Sequence, residues 1–360
     1  MLAASLRQIS CFLRNPRTGW IGIDISQSGA HLAQVERSGS GYELRTAWTA
    51  FQTVTDSSTE ESFDRLIEQA RRVRPLFLNA PAALTIGDGS IDYREFDLAI
   101  NESSEIDPAV RSLLEREPDF DFGSSLIKAW ELPANRRSQV AHKTAAVVST
   151  PHALSMWLGD RITRVGYSPE VLDAIPCALA RSAEIFLEGS DRSCLVAHLG
   201  DACTTLSLVR RGTPILTRVL HSLGFEQVLK PLRTELSIGS GDVNSLILKT
   251  AQERTKGAEH ASDLQDIVSE YQLRFVQALA CEIYSTLEYI RSELIESEPA
   301  GLLLCGNGSI MPDMSTQFQQ LLEIPTETWS IPLQAGTCQG LPTSLYAVAA
   351  GLSAIAWEKS

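Results

Sequence analysis

Residues 20–35 read Trp20-Ile21-Gly22-Ile23-Asp24-Ile25-Ser26-Gln27-Ser28-Gly29-Ala30-His31-Leu32-Ala33-Gln34-Val35. An apolar run enters a small polar turn, the turn opens on an acid, and a second apolar run leaves it. Ile21, Ile23 and Ile25 alternate with the period of a strand. Ser26, Ser28 and Gly29 supply turn chemistry. Such a turn presents a carboxylate and successive backbone N–H groups, which suits a phosphate or a metal-bound water. Taken alone it is also an ordinary hairpin.

The pattern returns at residues 194–212. Laid on the opening stretch it matches without a gap: Leu32 falls on Leu206, Val35 on Val209, Arg37 on Arg211, and Asp24 on His198. Each copy runs into a glycine turn and then a third strand, Tyr42 to Ala50 or Pro214 to Leu220. Chance would have to produce this twice in register. The repeat therefore predicts two related halves, each opening as a three-stranded meander.

Between the copies the pattern predicts a helix over Thr59–Arg72 and a short strand over Leu76–Leu78. Strands over Ala83–Ile86 and Ile91–Phe96 flank the turn Gly87-Asp88-Gly89. A helix over Asp107–Glu117 follows, with Asp107 as N-cap and Pro108 in the first turn. Strands over Leu126–Leu132 and Lys143–Ser149 and a helix over His152–Val165 complete a β-α-β-β-α module inserted into the surrounding fold. The chain returns with a strand over Val171–Ile175 and a helix over Pro176–Leu187. Residues 225–294 read as largely helical, with a polar loop over Lys249–Asp266 and a longest helix over Leu273–Leu294. Ala300–Met314 reads as a buried strand, a glycine turn and a helix start; Ile324–Thr328 as an edge strand; Leu345–Trp357 as a helix. The expected division is a first domain over 1–83, completed by 168–190 and 342–360, an insert over 84–167, and a second domain over 191–341 with a helical part at 225–298.

Composition narrows the function. A formal net charge of −13 argues against wrapping nucleic acid, which favours basic surfaces. The cysteines (Cys11, Cys177, Cys194, Cys203, Cys281, Cys305, Cys338) are odd in number, scattered and never spaced as CxxC. That indicates a reducing compartment with neither a disulfide framework nor a zinc site. No apolar run approaches the roughly 20 residues of a membrane span. Residues 1–14 are basic and amphipathic, and read as a frayed leader, with contact to an anionic membrane surface as the alternative.

Two meander halves that each open on a phosphate-type hairpin, with a late strand–GxG–helix, describe the actin-like ATPase fold. The resemblance is narrower than that. The chain resembles the PilM family, actin-like cytoplasmic components of type IV pilus assembly that are similar to the division protein FtsA. Five stretches carry it, in the family's order and over nearly the whole chain: Ile21–Ser26; the inserted module; Ser168–Asp173 with Cys177–Arg181; Glu282–Tyr289; and Gly306–Pro312. The resemblance implies ATP and Mg2+ in a cleft. The first hairpin (Asp24, Ser26, Gln27, Ser28, Gly29) and the second (Gly200, Asp201, Thr204, Thr205) would hold the phosphates. Gly306, Asn307 and Gly308 would support the adenosine, and Asp24 would hold magnesium through water. It also implies a partner, the N-terminal cytoplasmic peptide of a membrane-anchored pilus or secretion protein, bound between the first subdomain and the insert at the inner face of the inner membrane. The oligomeric state is left open.

The departures from the family fall where chemistry would occur. Ser26 stands for a glycine, His31 for a lysine, His198 for the second acid, Asn307 for the middle glycine of the adenosine turn, and Ile175 for the acid that would orient water. Phosphoryl transfer depends on positioning and on neutralising charge, so these changes predict hydrolysis weakened more than binding. No catalytic residue is assigned. His198 is expected to be neutral at a strand end, Cys203 lacks a base, and Asp92, Glu95 and Asp97 read as a solvated face. The expectation is a scaffold with or without bound ATP. The rivals are an active ATPase or phosphotransferase of the same fold, and a filament-forming protein.

Overall fold

The computed structural model describes residues 17–26, 29–39, 41–51, 59–86, 91–132, 143–239, 242–244, 246–249, 263–294, 298–334 and 340–358. Gln27, Ser28, the turn at 87–89, the leader at 1–14 and most of the expected loop at 249–266 lie outside these.

The first sheet contains β1 (Ile21–Ile25), β2 (Gly29–Ser38), β3 (Gly41–Phe51), β4 (Pro81–Ile86) and β8 (Ser168–Leu172), in the order β3-β2-β1-β4-β8. The insert's sheet is β5 (Asp92–Leu98), β7 (Lys143–Pro151) and β6 (Ser125–Glu131), in that order. The second large sheet holds β9 (Cys194–Leu199), β10 (Thr204–Arg210), β11 (Thr213–Leu220), β12 (Leu302–Cys305) and β13 (Thr326–Thr328), ordered β11-β10-β9-β12-β13. The two large sheets thus have the same strand order. Their registers also agree: Gly22 pairs with Ala33 and Asp24 with His31, as Val196 pairs with Ser207 and His198 with Thr205. The repeat extends to a bulge, between Gln34 and Val35 in one sheet and between Leu208 and Val209 in the other. A one-residue offset would have turned every side chain to the wrong face, so the gapless alignment of the sequence is the structural alignment.

The helices are α1 (Thr59–Val73), α2 (Ile106–Leu114), α3 (His152–Arg164), α4 (Ile175–Leu187), α5 (Glu226–Leu236), α6 (Asp263–Glu293), α7 (Met314–Leu322) and α8 (Ala347–Ser353). β1 is buried along its whole length because both faces are covered, as parallel neighbours require. Ile21, Ile23 and Ile25 face a core made with Leu66 and Ile67 of α1 and Leu158 and Ile162 of α3. The opposite face, with Gly22, receives α8. α8 packs on the first sheet and α4 on the second, the two helices cross each other, and Trp329 donates its Nε1–H to the Ser182 carbonyl at 2.9 Å inside the same core.

Several expectations are corrected. Pro75 ends α1 in a 3-10 turn over Arg74–Leu76, and no strand forms at 76–78. Asp107 lies inside α2 and does not cap it; the capping box is made one turn earlier, by Glu102 and Glu105. α6 starts at Asp263, ten residues before the expected Leu273, and runs for 31 residues. The C-terminal helix is split into a 3-10 turn (Thr343–Tyr346), α8, and a second 3-10 turn (Ala354–Trp357). The last helix of the inserted segment, α3, packs into the first sheet's core, while α2 alone covers the insert's sheet through Ile106, Val110 and Leu114. β4 runs through the expected boundary at 83/84 and stays in the first sheet.

Candidate functional site

The C-terminal ends of β1, β9 and β12 converge, with the start of α4, on one small enclosure. Strand ends of this kind are where open α/β sheets present ligand sites. Asp24, Ser26, Gly200, Asp201, Gly306 and Asn307 are brought together there, joined by His31, His198, Ile175 and Leu345.

The other expected residues do different work. Gly29 lets the Ala50 carbonyl approach where a Cβ would stand. Thr204 is buried and donates its hydroxyl to the Leu223 carbonyl at 2.6 Å, which anchors the turn after β11. Gly308 packs on Leu199, whose Cβ would lie 2.8 Å from an added one. Thr205 lines a neighbouring cavity instead.

Two imidazoles fill the enclosure. His31, 3% exposed, has Nδ1 2.9 Å from Thr49 Oγ1 and stands edge-on to Tyr346 and Phe51. His198 lies between two glycines. A Cβ on Gly306 would fall 2.7 Å from its Cδ2 and 2.9 Å from its Nε2, and one on Gly200 3.3 Å from its Cε1. Gly306 also has φ +85°, a left-handed conformation that favours glycine. Asn307 donates to Asp201 Oδ1 at 2.9 Å and bonds His31 as well. Asn307 thus ties Asp201, at the end of the second sheet, to His31 of the first.

Burial lowers the His31 pKa to about 4, with the Asp201 charge and the Asn307 bond opposing it. Burial lowers His198 to about 4 in the same way, and Asp201 again opposes. Both rings are neutral near pH 7, as expected of His198. A prediction follows from the sign. Below about pH 6.5 the unfolded imidazole binds a proton that the folded one refuses, so stability falls as pH drops towards 4. For His31 the loss is about 3 kcal/mol by pH 4. Urea melts between pH 7 and pH 4 should show this slope, and the variant His31→Gln should remove about half of the histidine contribution, His198 keeping the rest.

The remaining free space is ≈ 10 Å³, room for about one water. Ligand pockets typically span about 300–1,000 Å³. Asp24 and Asp201 are buried here, and no lysine or arginine lines the wall. Among the described residues no group of three or more His, Cys, Asp or Glu is placed to hold a metal. A triphosphate would meet two carboxylates, two neutral rings and no volume, so these residues do not fit a nucleotide in this arrangement.

Sequence reasoning placed Ile175 at the site as the substitute for a water-orienting acid; it did not anticipate Leu345, an apolar residue distant along the chain from the hairpins. Asp92, Glu95 and Asp97 are all exposed, as a solvated face requires. Glu95 also accepts the Tyr93 hydroxyl at 2.9 Å and faces the Thr217 amide of β11 at 3.5 Å, and partial desolvation raises its pKa.

Beside the enclosure two cavities adjoin. A narrow one of ≈ 120 Å³ lies between the β8–α4 junction and the insert, lined by Leu126, Ile127, Lys128, Leu172 and Asp173 among others. A wider one of ≈ 350 Å³ lies between the insert, the start of α4 and β10–β11. No helix among the described residues is long and apolar enough to cross a membrane.

No protein-family model matches the sequence, and no curated protein matches it. Solved structures do. The chain is similar to one from a PilM-PilN type IV pilus biogenesis complex, with TM-score 0.70 and 20% identity over 96% of this chain and 100% of that one. It is similar to ethanolamine utilization protein EutJ from Carboxydothermus hydrogenoformans, with TM-score 0.52 and 12% identity over 94% and 91% of the two chains. MreB5 of Spiroplasma citri bound to ADP gives TM-score 0.47 and 12% identity, covering 93% and 94%. The chain has the actin-like ATPase fold.

Proposed function

We propose that this chain is a PilM-type scaffold at the cytoplasmic face of the inner membrane. It holds the N-terminal cytoplasmic segment of a membrane-anchored protein of a type IV pilus or type II secretion-like assembly. The observation that carries this reading is the narrow groove between the first sheet and the insert. Its wall exposes Leu126 (42% exposed) beside Ile127, and Leu172 and Ile91 complete an apolar floor. A closed enclosure and an open groove together favour binding a polypeptide over turning over a nucleotide. The structure from the PilM-PilN complex, similar over the full chain, supports the same assignment. In this reading Asp24, Asp201, Asn307 and the two histidines hold the cleft shut, and neither ATP nor magnesium is required.

The test is direct. Labelled peptides covering the N-terminal cytoplasmic segments of the source organism's single-span membrane proteins are titrated against the full chain by fluorescence polarisation. One segment is expected to bind with a Kd on the order of 1–10 μM, as suits a small apolar groove. Leu126→Glu should weaken it by at least about tenfold, the cost of a charge in an apolar contact. No binding by any segment would overturn the reading.

A further inference from the structure

We infer that the wide cavity is an anchor pocket for one basic side chain, lysine or arginine, of the partner segment, an inference that rests on the reading above. The wide cavity and the narrow groove share Ile91, Val148 and Ala174, so they are two parts of one channel. A peptide laid in the narrow part reaches the wide part within a few residues. There the walls change character. Ile91, Val148, Ile175 and Val219 offer apolar sides, the surface along which a methylene stem packs while its charged head seeks a polar end.

The polar end is acidic on the insert side. Asp92 lines the cavity; Glu95 shares the opposite face of β5 with Tyr93 and sits beside the cavity, where it accepts the Tyr93 hydroxyl and faces the Thr217 amide, both from lining residues. Asp92 is already paired with Arg94 at 2.6 Å. Among the described residues Glu95 has no ion-pair partner; its neighbours are the Tyr93 hydroxyl and the Thr217 amide. On the facing wall Thr205 lines the cavity and is 3% exposed. One guanidinium and one imidazole also face the space. Arg218 is answered by Glu282 and by Thr286 Oγ1 at 3.1 Å on α6, and His221 sits at the exposed rim. The unanswered charge at the site is therefore negative. The whole chain carries −13, and cytoplasmic segments next to a membrane span carry an excess of Lys and Arg. The two signs are complementary.

The experiment uses the full chain and a positional-scanning library of fluorescein-labelled dodecapeptides. Binders are expected to share Lys or Arg at a fixed distance from an apolar residue. Glu95→Gln should weaken them about tenfold, peptide Lys→Leu should do the same, and the two changes together should cost little more than either. Thermal melts check that the Glu95→Gln protein is folded. Binders with no fixed basic position, or losses that simply multiply, would overturn the anchor. Peptides that bind and are lost with Leu126→Glu, but ignore Glu95→Gln, sink the anchor and leave the scaffold standing. Failure of every peptide sinks both.

Discussion

Replacing Gly351 by leucine is expected to leave no folded protein at 37 °C. Gly351 sits in α8 where that helix crosses α4, and a Cβ there would fall inside the Ala178 carbonyl. On the adjoining side of α8 the same holds for Gly22 of β1, whose Cβ would occupy the space of the Ala349 carbonyl. The obstacle in both places is backbone, which cannot swing aside as a side chain does. Relief requires α8 to lift from both α4 and β1. That lift breaks the core in which Ala178, Leu179, Val348 and Leu352 are all fully buried. Close-packed interiors resist even one extra methylene, and a branched chain driven into a helix crossing belongs with changes costing about 4–5 kcal/mol or more. That is comparable with the whole stability of many domains. Fluorescence of Trp329, buried in this core, reports the loss. Gly39→Ala is the control. Its φ is +62° but nothing lies within 4 Å of its Cβ, so it should cost only about 1 kcal/mol. A Gly351→Leu protein that melts within a few degrees of the parent would show that the helices are not held together at this crossing.

Much of this architecture was legible because it is written in short periods. The two hairpins align without a gap, and the strands pair in that register down to the position of a bulge. The insert's element order follows from local pattern alone. What was illegible is tertiary. That α3 leaves the insert to cover Ile21, Ile23 and Ile25 depends on which sheet has an uncovered face, and no local residue reports that. Thr204 has the residue type for a phosphate contact, yet its hydroxyl is used by Leu223, nineteen positions on. The site's departures were visible one by one, but not their joint effect. His198 reads as a lost acid in the sequence. In the fold its ring is clasped by Gly200 and Gly306, residues whose missing side chains would otherwise read as space for a ligand.

That clasp leads to the second large expectation. The parent protein should show no saturable binding of Mg-ATP up to about 1 mM, which corresponds to less than about 4 kcal/mol of affinity. The double variant His31→Lys with His198→Gly should bind at least about tenfold more tightly. His198→Gly removes the ring from between the two glycines, where it now blocks approach of any phosphate to the backbone of either turn. His31→Lys places a cation opposite Asp24, the residue it pairs with in the sheet, in a wall that has none. A charge-assisted bond to a phosphate contributes about 1.5–3 kcal/mol, or roughly tenfold to a hundredfold. Room without a cation leaves Asp24 and Asp201 facing the phosphates, so His198→Gly alone should gain less. A fluorescent ATP analogue gives the affinities, and the rise of melting temperature with ATP gives an independent measure. Micromolar binding by the parent would show that the imidazoles move aside at little cost, and the closed cleft would then be one state of a nucleotide switch. A folded double variant that gains nothing would place the obstacle in Ile175 and Leu345, the apolar walls that close the same enclosure.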